Sequence, residues 1–363
     1  MLLSIVGNRP QFIKMAPLSA ELGRRGYREV IVHSGQHYDQ DMSDVFFAEM
    51  GIREPDIALT NQERSHARMT AEMMVKFEEV MLRERPSGVV IFGDTNTTLA
   101  AALVAVKMHI PIAHVEAGPR IHDINTPEEI NRIVADHAAR LRFCPDAQSV
   151  ENLRNESIVA GVYQTGDLMY DSFLHFLPRA KEQSTVLDRS GLTGTPYGLV
   201  TIHRPNNTDD PLALRRLVEI CKQAPLHLLF AVHPRTRAAL HREDLWEVLC
   251  RLRNVHVTKP LGYLDILAAL DDATLVITDS GGLQKEGYFA RKPVVNLFHT
   301  SPWPALVSDG WVHPIGTLAE INEQEALAAI SSVEAGREGP QYFGDGRASK
   351  QIVDLLEQHG FLN

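Results

Sequence analysis

Short apolar runs that alternate with helical segments constrain the fold of this chain more than any other feature. In the N-terminal half the runs are Leu2–Val6, Val30–His33, Val89–Phe92 and Ile112–Val115, and the alanine-rich helical segment Thr97–Met108 separates the last two. Each run is apolar almost throughout, which is typical of strands that are covered on both faces. The alternation predicts an α/β fold with doubly wound parallel sheets.

The alternation pauses once, which indicates two domains. Residues 170–197 are rich in charged residues, serine, threonine and glycine, and we expect a helix at their start followed by a linker. Apolar runs then resume, at Leu199–Ile202, His227–Val232, Val255–Val257 and Leu275–Thr278. Because 363 residues suffice for two domains of ordinary size, we predict Rossmann-like domains at 1–170 and 198–346.

The composition argues against several classes of protein. A net charge of −10 makes a general nucleic-acid surface unexpected. No apolar run approaches the roughly 18 residues of a membrane span, and the N-terminal residues lack the basic region and cleavage site of a signal peptide. The cysteines Cys144, Cys221 and Cys250 form no CxxC pair, which favours neither zinc nor a disulfide framework. We therefore expect a cytoplasmic protein with no nucleic-acid or membrane partner.

Ionisable residues and glycines follow the predicted strands in both halves of the chain. Because ligands of open α/β sheets bind beyond the carboxyl ends of the strands, residues at these positions are candidate contacts. They are Asn8-Arg9-Pro10, Ser34-Gly35-Gln36, Gly93-Asp94-Thr95, Glu116-Ala117-Gly118, His203-Arg204, His233-Pro234 and Asp279-Ser280-Gly281-Gly282. We predict two polar rims that face each other across a cleft, although loops are commonly polar without a function.

The run TDSGGLQKEG, residues 278–287, has the features of an anion site at a helix N-terminus. Ser280 can cap the helix, and Gly281 and Gly282 let a phosphate approach the backbone N–H groups. Glu286 would repel a phosphate, so a sugar hydroxyl such as a ribose diol is its better partner. The alternative is an ordinary Ser-Gly turn with a cap.

The run TPEEINRIVADHAARL predicts a helix. Thr126 and Glu129 fit a capping box, and Pro127 suits the first turn. The expected buried stripe consists of Ile130, Val134 and Leu141.

The same helix carries an expected ion pair. Glu128 and Arg132 are one turn apart, and by themselves they could form a solvated surface pair. Asp94 and Glu116 end two neighbouring strands upstream, however, so three carboxylates could converge beside a cation.

The sequence favours no bound cofactor. No GxGxxG follows a predicted strand and no HExxH is present. The pairs His33/His37 and His109/His114 suit site or surface histidines better than metal ligands. Lys14, just inside the first helix, could be a site residue or a solvated lysine. We therefore expect neither NAD nor a metal.

Taken together, these segments resemble the non-hydrolysing UDP-N-acetylglucosamine 2-epimerases. The resemblance is carried by GNRPQFIKMAPL, SGQHYDQDM, GDTNTTLAAALVA, HVEAGPR, PEEINRIVADH, QTGDLMYD, VTIHRPNN, VHPRTR, PLGYLDIL, TDSGGLQKEG and GDGRAS. It implies the two-domain glycosyltransferase-B fold, in which the C-terminal helix, here 347–363, joins the first domain. It also implies a cytoplasmic homodimer that acts on a UDP-sugar in the supply of N-acetylmannosamine-type sugars for surface polysaccharides.

The resemblance assigns candidate roles to individual residues. The positions that match the family's active site are Arg9, Lys14, Asp94, Glu116, Glu128, Arg132 and His203. The positions that match its contacts with the UDP diphosphate and ribose are Ser280, Gly281, Gly282 and Glu286.

The chain departs from the family at three places. Ile266 stands where an aromatic residue packs on uracil, so the contact with the base is weaker or different. Residues 298–305, FHTSPWPA, replace a charged loop. Asp39 stands where regulated members have a glutamine for an allosteric substrate molecule. RPQFIK and GQHYD are more similar to the branch that acts on UDP-2,3-diacetamido-2,3-dideoxy-glucuronic acid.

A mechanism by elimination fits these residues. A carboxylate takes the C2 proton as the C1–O bond to UDP breaks, and UDP adds back after protonation on the other face. Two alternatives stay open. A glycosyltransferase of the same fold would need an acceptor site but no evident carboxylate cluster, and a nucleotide-sugar sensor would bind without turnover.

Overall fold

The computed structural model describes residues 1–36, 50–63, 65–336 and 341–362, and the chain divides into two compact units. The first unit comprises Met1–His175 and Pro340–Asn363, and the second comprises Phe176–Gly339. Each unit contains one parallel sheet with helices between successive strands. The prediction of two doubly wound, Rossmann-like domains is therefore confirmed.

The sheet of the first unit has seven strands. They are β1 (Leu2–Val6), β2 (Glu29–His33), β3 (Ile57–Ala58), β4 (Gly88–Phe92), β5 (Ile112–Val115), β6 (Leu141–Cys144) and β7 (Val162–Gln164). Their spatial order is β3-β2-β1-β4-β5-β6-β7. The strand order reverses between β1 and β4, which is where open α/β sheets bind ligands beyond the carboxyl ends of their strands.

Helices cover both faces of this sheet, so β1, β2, β4 and β5 are buried along their whole length. The helices up to the boundary between the units are α1 (Arg9–Arg24), α2 (His66–Glu84), α3 (Asn96–Lys107), α4 (Pro127–Ala138), α5 (Ala147–Asn155) and α6 (Leu168–Gln183). Asn8 starts α1, because its side chain accepts the N–H of Gln11 at 3.1 Å.

The sheet of the second unit repeats the same plan with six strands. They are β8 (Tyr197–Thr201), β9 (His227–Ala231), β10 (Val255–Thr258), β11 (Leu275–Thr278), β12 (Val294–Asn296) and β13 (Val312–Pro314). Their order is β10-β9-β8-β11-β12-β13, so this sheet reverses between β8 and β11.

The second unit also contains short and long helices between its strands. They are α7 (Val186–Ser190), α8 (Pro205–Thr208), α9 (Pro211–Gln223), α10 (Pro234–Arg242), α11 (Trp246–Cys250), α12 (Tyr263–Asp272), α13 (Gly281–Phe289), α14 (Pro304–Ser308) and α15 (Glu323–Ser332).

The stretch 170–197, which we expected to be a helix followed by a linker, contains more helix than expected. The helix extends to Gln183, and α7 follows it.

The last helix, α16 (Ala348–Gln358), belongs to the first unit. Its first turn is capped from a distance, because Asp171 accepts the N–H groups of Ala348 and Ser349 at 3.1 and 2.8 Å. None of the helices in the described part of the chain has the length and apolar character that a bilayer crossing demands.

The domain bounds 1–170 with 347–363 and 198–346 remain a prediction. One hydrogen bond within the first unit involves a residue outside the bounds predicted for the first domain. The N–H of Asp167 donates to the carbonyl of Phe343 at 3.0 Å, although residue 343 was assigned to the second domain.

Phe361 closes the first unit beneath the start of β4. Its side chain is fully buried, and its ring lies against Gly88, which leaves no space there for a Cβ. We expect Phe361→Ala to lower the free energy of unfolding by about 3–5 kcal/mol, because it removes a buried ring and leaves a cavity. Urea unfolding would measure this change.

The matched control for this prediction is Leu82→Ala, since Leu82 is 61% exposed on α2 of the same unit. Its effect should stay within about 0.5 kcal/mol. Equal losses for the two variants would contradict the structural role of Phe361.

Candidate active site

Lys14 and Glu116 form a pair beside the carboxyl end of β5. Lys14 lies on α1 and is buried, and its Nζ donates to Glu116 Oε1 at 2.6 Å. Glu116 directly follows β5 with a φ of 63°, a left-handed conformation that is unfavourable for residues with a side chain. Backbone strain of this kind concentrates at functional sites. Lys14, which the sequence left undecided, thus contacts a predicted acid/base residue.

Asp94 and Arg132 form a second pair after β4. One guanidinium nitrogen of Arg132 contacts the Asp94 carboxylate, and another donates to Glu129 at 2.8 Å. Burial lowers the pKa of Arg132, but the charges of Asp94, Glu129 and Glu116 outweigh that effect and raise it. Arg132 is therefore a cation that several carboxylates surround.

Gly93 lies between the two pairs. A Cβ at this position would lie 3.5 Å from Lys14 Nζ and 3.6 Å from Glu116 Oε1. Because Asp94 is the next residue, the structure brings four of the predicted residues together, namely Lys14, Asp94, Glu116 and Arg132. The cluster has two cations and carboxylates from the ends of two adjacent strands.

Glu128 stands apart from this arrangement. It lies in the first turn of α4 and is exposed. The ion pair expected between Glu128 and Arg132 is replaced by the pairs of Arg132 with Asp94 and Glu129. Arg132 faces inward towards the strand ends, so a carboxylate on the solvent side of the helix is not its natural partner.

The predicted capping box at the start of α4 is wrong. Thr126 precedes the helix, but its side chain makes no capping hydrogen bond. Glu129 is buried and accepts the N–H of His122 at 2.8 Å and that of Ile121 at 3.1 Å. Its carboxylate is used by the preceding loop and by Arg132, so it does not serve the helix start.

The predicted buried stripe of α4 is also partly wrong. Ile130 is 48% exposed. The inward face instead presents polar residues towards the strand ends. Asn131, for example, donates from Nδ2 to the carbonyl of Asp94 at 2.9 Å. A site built at this edge of the sheet requires polar residues where an ordinary helix would bury apolar ones.

Arg9 is the first residue of α1 and is half-buried. It follows Asn8, the residue that caps the helix, and lies directly after the turn that leaves β1. This is the same edge of the sheet as Asp94 and Glu116. Arg9 therefore lies at the end of a helix where an anion is favoured.

In the second unit, Asp279 organises the ends of β8 and β11. Its buried carboxylate accepts the N–H groups of His203 and Arg204 at 3.1 and 2.9 Å, and Nδ2 of Asn207 at 3.0 Å. Nδ1 of His203 lies 2.8 Å from Oδ1 of Asp279. Burial raises the pKa of Asp279, but the hydrogen bond and charge of His203, followed by the other donors, lower it below its usual range. The ring of His203 is thereby fixed while its side chain stays 41% exposed.

The segment after Asp279 has the predicted helix start. Ser280 caps α13, since its Oγ accepts the N–H of Leu283 at 3.4 Å. Gly281 and Gly282 form the first turn, and Glu286 lies buried one turn further along. The first N–H groups of this helix have no carbonyl within it to bond, which suits an anion.

Two of the three places where the sequence departs from the family lie in the described part of the second unit. Ile266 is buried on α12. The segment 298–305 packs on the start of α13, where Nε1 of Trp303 donates to the carbonyl of Gly281 at 2.9 Å. Ser301 donates to Gln284 at 2.6 Å, and the ammonium of Lys285 lies 4.2 Å from the centre of the Trp303 ring. Asp39, the third departure, lies outside the described residues.

The two units carry groups of different kinds, namely acid/base groups in the first unit and anion-binding groups in the second. The first unit supplies carboxylates held by cations, and the second supplies a capped helix start with a fixed histidine. Among the residues that the structure describes, no three His, Cys, Asp or Glu side chains gather as a metal site.

Glu129 is a structural member of the first site that the sequence reasoning missed. Asp279 was predicted as a strand-end contact, because it directly follows β11, but its role as an acceptor for His203, Arg204 and Asn207 was not. Glu129 had no signal of its role, since its spacing from Thr126 fits a capping box equally well.

The sequence of the chain is similar to a protein family and to individual relatives over nearly its whole length. A family model described as UDP-N-acetylglucosamine 2-epimerase matches residues 20–357. A UDP-N-acetylglucosamine 2-epimerase homolog of Methanococcus maripaludis is 40% identical over 357 residues, which cover 98% of this chain and 99% of the relative. The UDP-2,3-diacetamido-2,3-dideoxy-D-glucuronate 2-epimerase of Pseudomonas aeruginosa is 38% identical over 362 residues, with coverage of 98% and 99%.

Solved structures agree with these relatives. The UDP-GlcNAc 2-epimerase of Methanocaldococcus jannaschii, in complex with UDP-GlcNAc and UDP, has a TM-score of 0.91 and 33% identity, and the match covers 99% of this chain and 100% of that one. The Neisseria meningitidis enzyme bound to UDP-GlcNAc has a TM-score of 0.86 and 27% identity, with coverage of 98% and 99%. The match of fold and sequence extends over both units, and the chain belongs to the UDP-N-acetylglucosamine 2-epimerase family.

Proposed function

We propose that this protein inverts C2 of UDP-N-acetylglucosamine, or of a close 2-acetamido relative, by elimination and re-addition of UDP. The observation that carries the proposal is the cluster of Lys14, Asp94, Glu116 and Arg132 at the carboxyl edge of one sheet. In a chain of this family, two carboxylates with adjacent cations suit proton transfer on both faces of a sugar carbon.

The reaction needs no net oxidation. The C2–H bond of a hexose is not next to a carbonyl, so its proton is poorly acidic. A carboxylate accepts that proton as the C–H electron pair forms the C1=C2 bond of a glycal and the C1–O bond breaks towards UDP. In the return step C2 is protonated on the opposite face, and a diphosphate oxygen of UDP bonds to C1. Atoms and charge balance without an external reductant or oxidant.

We assign the acid/base roles to Asp94, Glu116 and Glu128, without allocating a face of C2 to any of them. The contacts of Lys14 with Glu116 and of Arg132 with Asp94 support this assignment, because each cation holds a carboxylate in place and offsets its charge. Glu128 is exposed, so its part in the reaction rests on the family resemblance.

We assign the binding of UDP to the second unit, and the family resemblance assigns Arg9 to the substrate as well. The start of α13 at Ser280, Gly281 and Gly282 is suited to the diphosphate, and His203 is held nearby by Asp279. Glu286 would contact the ribose. Ile266 occupies the position that contacts uracil in the family, and a buried aliphatic side chain makes a weaker contact with the base.

The diacetamido-uronate is a second candidate substrate. The relative from Pseudomonas aeruginosa that is named for it is 38% identical to this chain. The segment 298–305 supports a changed sugar contact, since it packs on the start of α13 through Trp303 and Gln284 and offers aromatic rings where the family has charges.

We further propose, from the family resemblance, that the protein works as a homodimer in the cytoplasm. We also propose that a domain with the catalytic carboxylates, 1–170 with 347–363, and a nucleotide-binding domain, 198–346, follow the predicted bounds. Sedimentation velocity would test the dimer, for which a monomer at micromolar concentration would be the contrary result.

The test of the proposed function is isotopic. In D2O, we expect UDP-N-acetylglucosamine to yield its manno epimer with deuterium at C2 only, because the proton taken from one face is replaced from solvent on the other. Nuclear magnetic resonance would locate the label. We expect the reaction to proceed without added NAD and in the presence of EDTA. Epimer without deuterium at C2 would exclude elimination.

Loss of the assigned acid/base groups should slow the reaction. We expect Asp94→Asn, Glu116→Gln and Glu128→Gln each to lower kcat by about 10²-fold or more. Glu151→Gln is the control, because Glu151 pairs with Arg154 on the surface of the same unit. If all three variants retained the kcat of the control, the carboxylates would have no role in proton transfer.

Substrate kinetics should separate the two candidate sugars. We expect hyperbolic rates, with no requirement for UDP-N-acetylglucosamine as an activator, since Asp39 replaces the glutamine of regulated relatives. We also expect the diacetamido-uronate to equal or exceed UDP-N-acetylglucosamine in kcat/KM. Sigmoidal rates with UDP-N-acetylglucosamine and no turnover of a modified sugar would be the opposite outcome.

A further inference from the structure

A buried polar network lies beneath the turns that carry Asp94 and Glu116. Its centre is the pair of His114 on β5 and Asp136 on α4, and both side chains have no exposed surface. Nδ1 of His114 lies 2.7 Å from Asp136 Oδ1, and its Nε2 lies 2.7 Å from the carbonyl oxygen of Gly93.

The hydrogen bonds of His114 determine its protonation state. A backbone carbonyl can only accept, so Nε2 must carry a proton towards Gly93. An ionised carboxylate can also only accept, so Nδ1 must carry a second proton towards Asp136. A histidine that donates from both nitrogens is an imidazolium cation.

Asp136 has the partners of an ionised carboxylate. Its Oδ2 lies 2.8 Å from a guanidinium nitrogen of Arg120 and accepts the N–H of Gly118 at 3.2 Å. Burial raises the pKa of Asp136, but the charges and hydrogen bonds of His114 and Arg120 outweigh burial and lower it. Because a guanidinium nitrogen of Arg120 and the N–H of Gly118 both lie against this carboxylate, its ionised form is favoured without regard to His114.

Further charged groups surround the pair of His114 and Asp136. Arg120 also pairs with Glu156, with 2.6 Å between Arg120 Nε and Glu156 Oε1. Nε2 of His137, on α4, lies 3.4 Å from Oε2 of the same carboxylate. Arg142 of β6 donates to the carbonyl of Asp136 at 2.6 Å. Burial, followed by the charge of Asp136, raises the pKa of Cys144 on β6, so this thiol stays neutral. Asp136 and Glu156 are thus the two carboxylates that contact Arg120.

The network connects two catalytic turns to one side chain. Through His114, Asp136 holds the carbonyl of Gly93, which immediately precedes Asp94. Directly, it holds the N–H of Gly118, two residues after Glu116. The spacing of the two proposed acid/base carboxylates therefore depends on one hydrogen-bonded ion pair.

We propose that His114 is a positioning residue held as a buried imidazolium cation by Asp136, and that this pair sets the spacing of Asp94 and Glu116. The positioning role rests on the proposed function, whereas the charge of His114 is independent of it. A neutral His114 would have one nitrogen without a proton, and either the Gly93 carbonyl or the Asp136 carboxylate would then face a lone pair.

The charge is tested by nitrogen nuclear magnetic resonance on protein with labelled histidine. His114→Gln identifies the signals by their disappearance. At about pH 8 we expect both ring nitrogens of His114 to carry a proton, because each of them faces an acceptor. Asp136→Asn should remove the second proton. A His114 that has one bare nitrogen at about pH 8 in the unchanged protein would overturn the proposal.

The positioning role is tested by kinetics of the same two variants. We expect each to lower kcat by about 10²-fold, the scale for misplaced reacting groups, while KM changes less than about threefold. Asp171→Asn is the matched control, because it also removes a buried carboxylate of the first unit that accepts backbone N–H groups. It should keep its kcat.

The results separate the two proposals. Variants of His114 and Asp136 with the kcat of Asp171→Asn would overturn the positioning role, even if the cation is observed. An unchanged protein that turns over no nucleotide-sugar would refute the proposed function and with it the positioning role. The resonance measurement would still decide the charge of His114.

Discussion

The fold depends on the burial of strands whose side chains are mostly apolar. Because β1, β4 and β5 are covered on both faces, the polar side chains within them, Ser4 and His114, are hydrogen-bonded, and the other polar groups lie beyond the strand ends. At the carboxyl edge the chain must also turn, which exposes backbone groups to ligands. The same constraint holds for β8 and β11 in the second unit. The chemistry of the protein is therefore concentrated at the edges of two sheets.

Eight of the thirteen strands in the described part of the chain, and the polar residues after them, could be predicted from the sequence, because both follow from local pattern. An apolar run followed by Gly-Asp or Asp-Ser identifies the end of a buried strand without any knowledge of tertiary contacts. The cap formed by Ser280 is similar, since the serine and the N–H that it accepts lie three residues apart. Each of these features is determined within a few residues of chain.

The features that the sequence did not reveal depend on contacts between distant segments. Glu129 has the spacing of a capping residue, yet it serves a loop and Arg132. Ile130 fits an apolar stripe, but α4 directs polar residues at the strand ends. Helical periodicity gives the relative positions of side chains, not the chemical character of the surface that they face.

The capture of Phe361 under β4 affects the order in which the protein can fold during synthesis. The second unit lies wholly between the two segments of the first, so the ribosome completes it while the first still lacks α16 and Phe361. Because domains generally fold as they emerge, the later unit in the chain can reach its final structure first. Until residue 361 has emerged, the first unit lacks the ring that packs against Gly88. Nascent chains that stall before residue 361 would thus be substrates for chaperones, even though all proposed site residues have already been made.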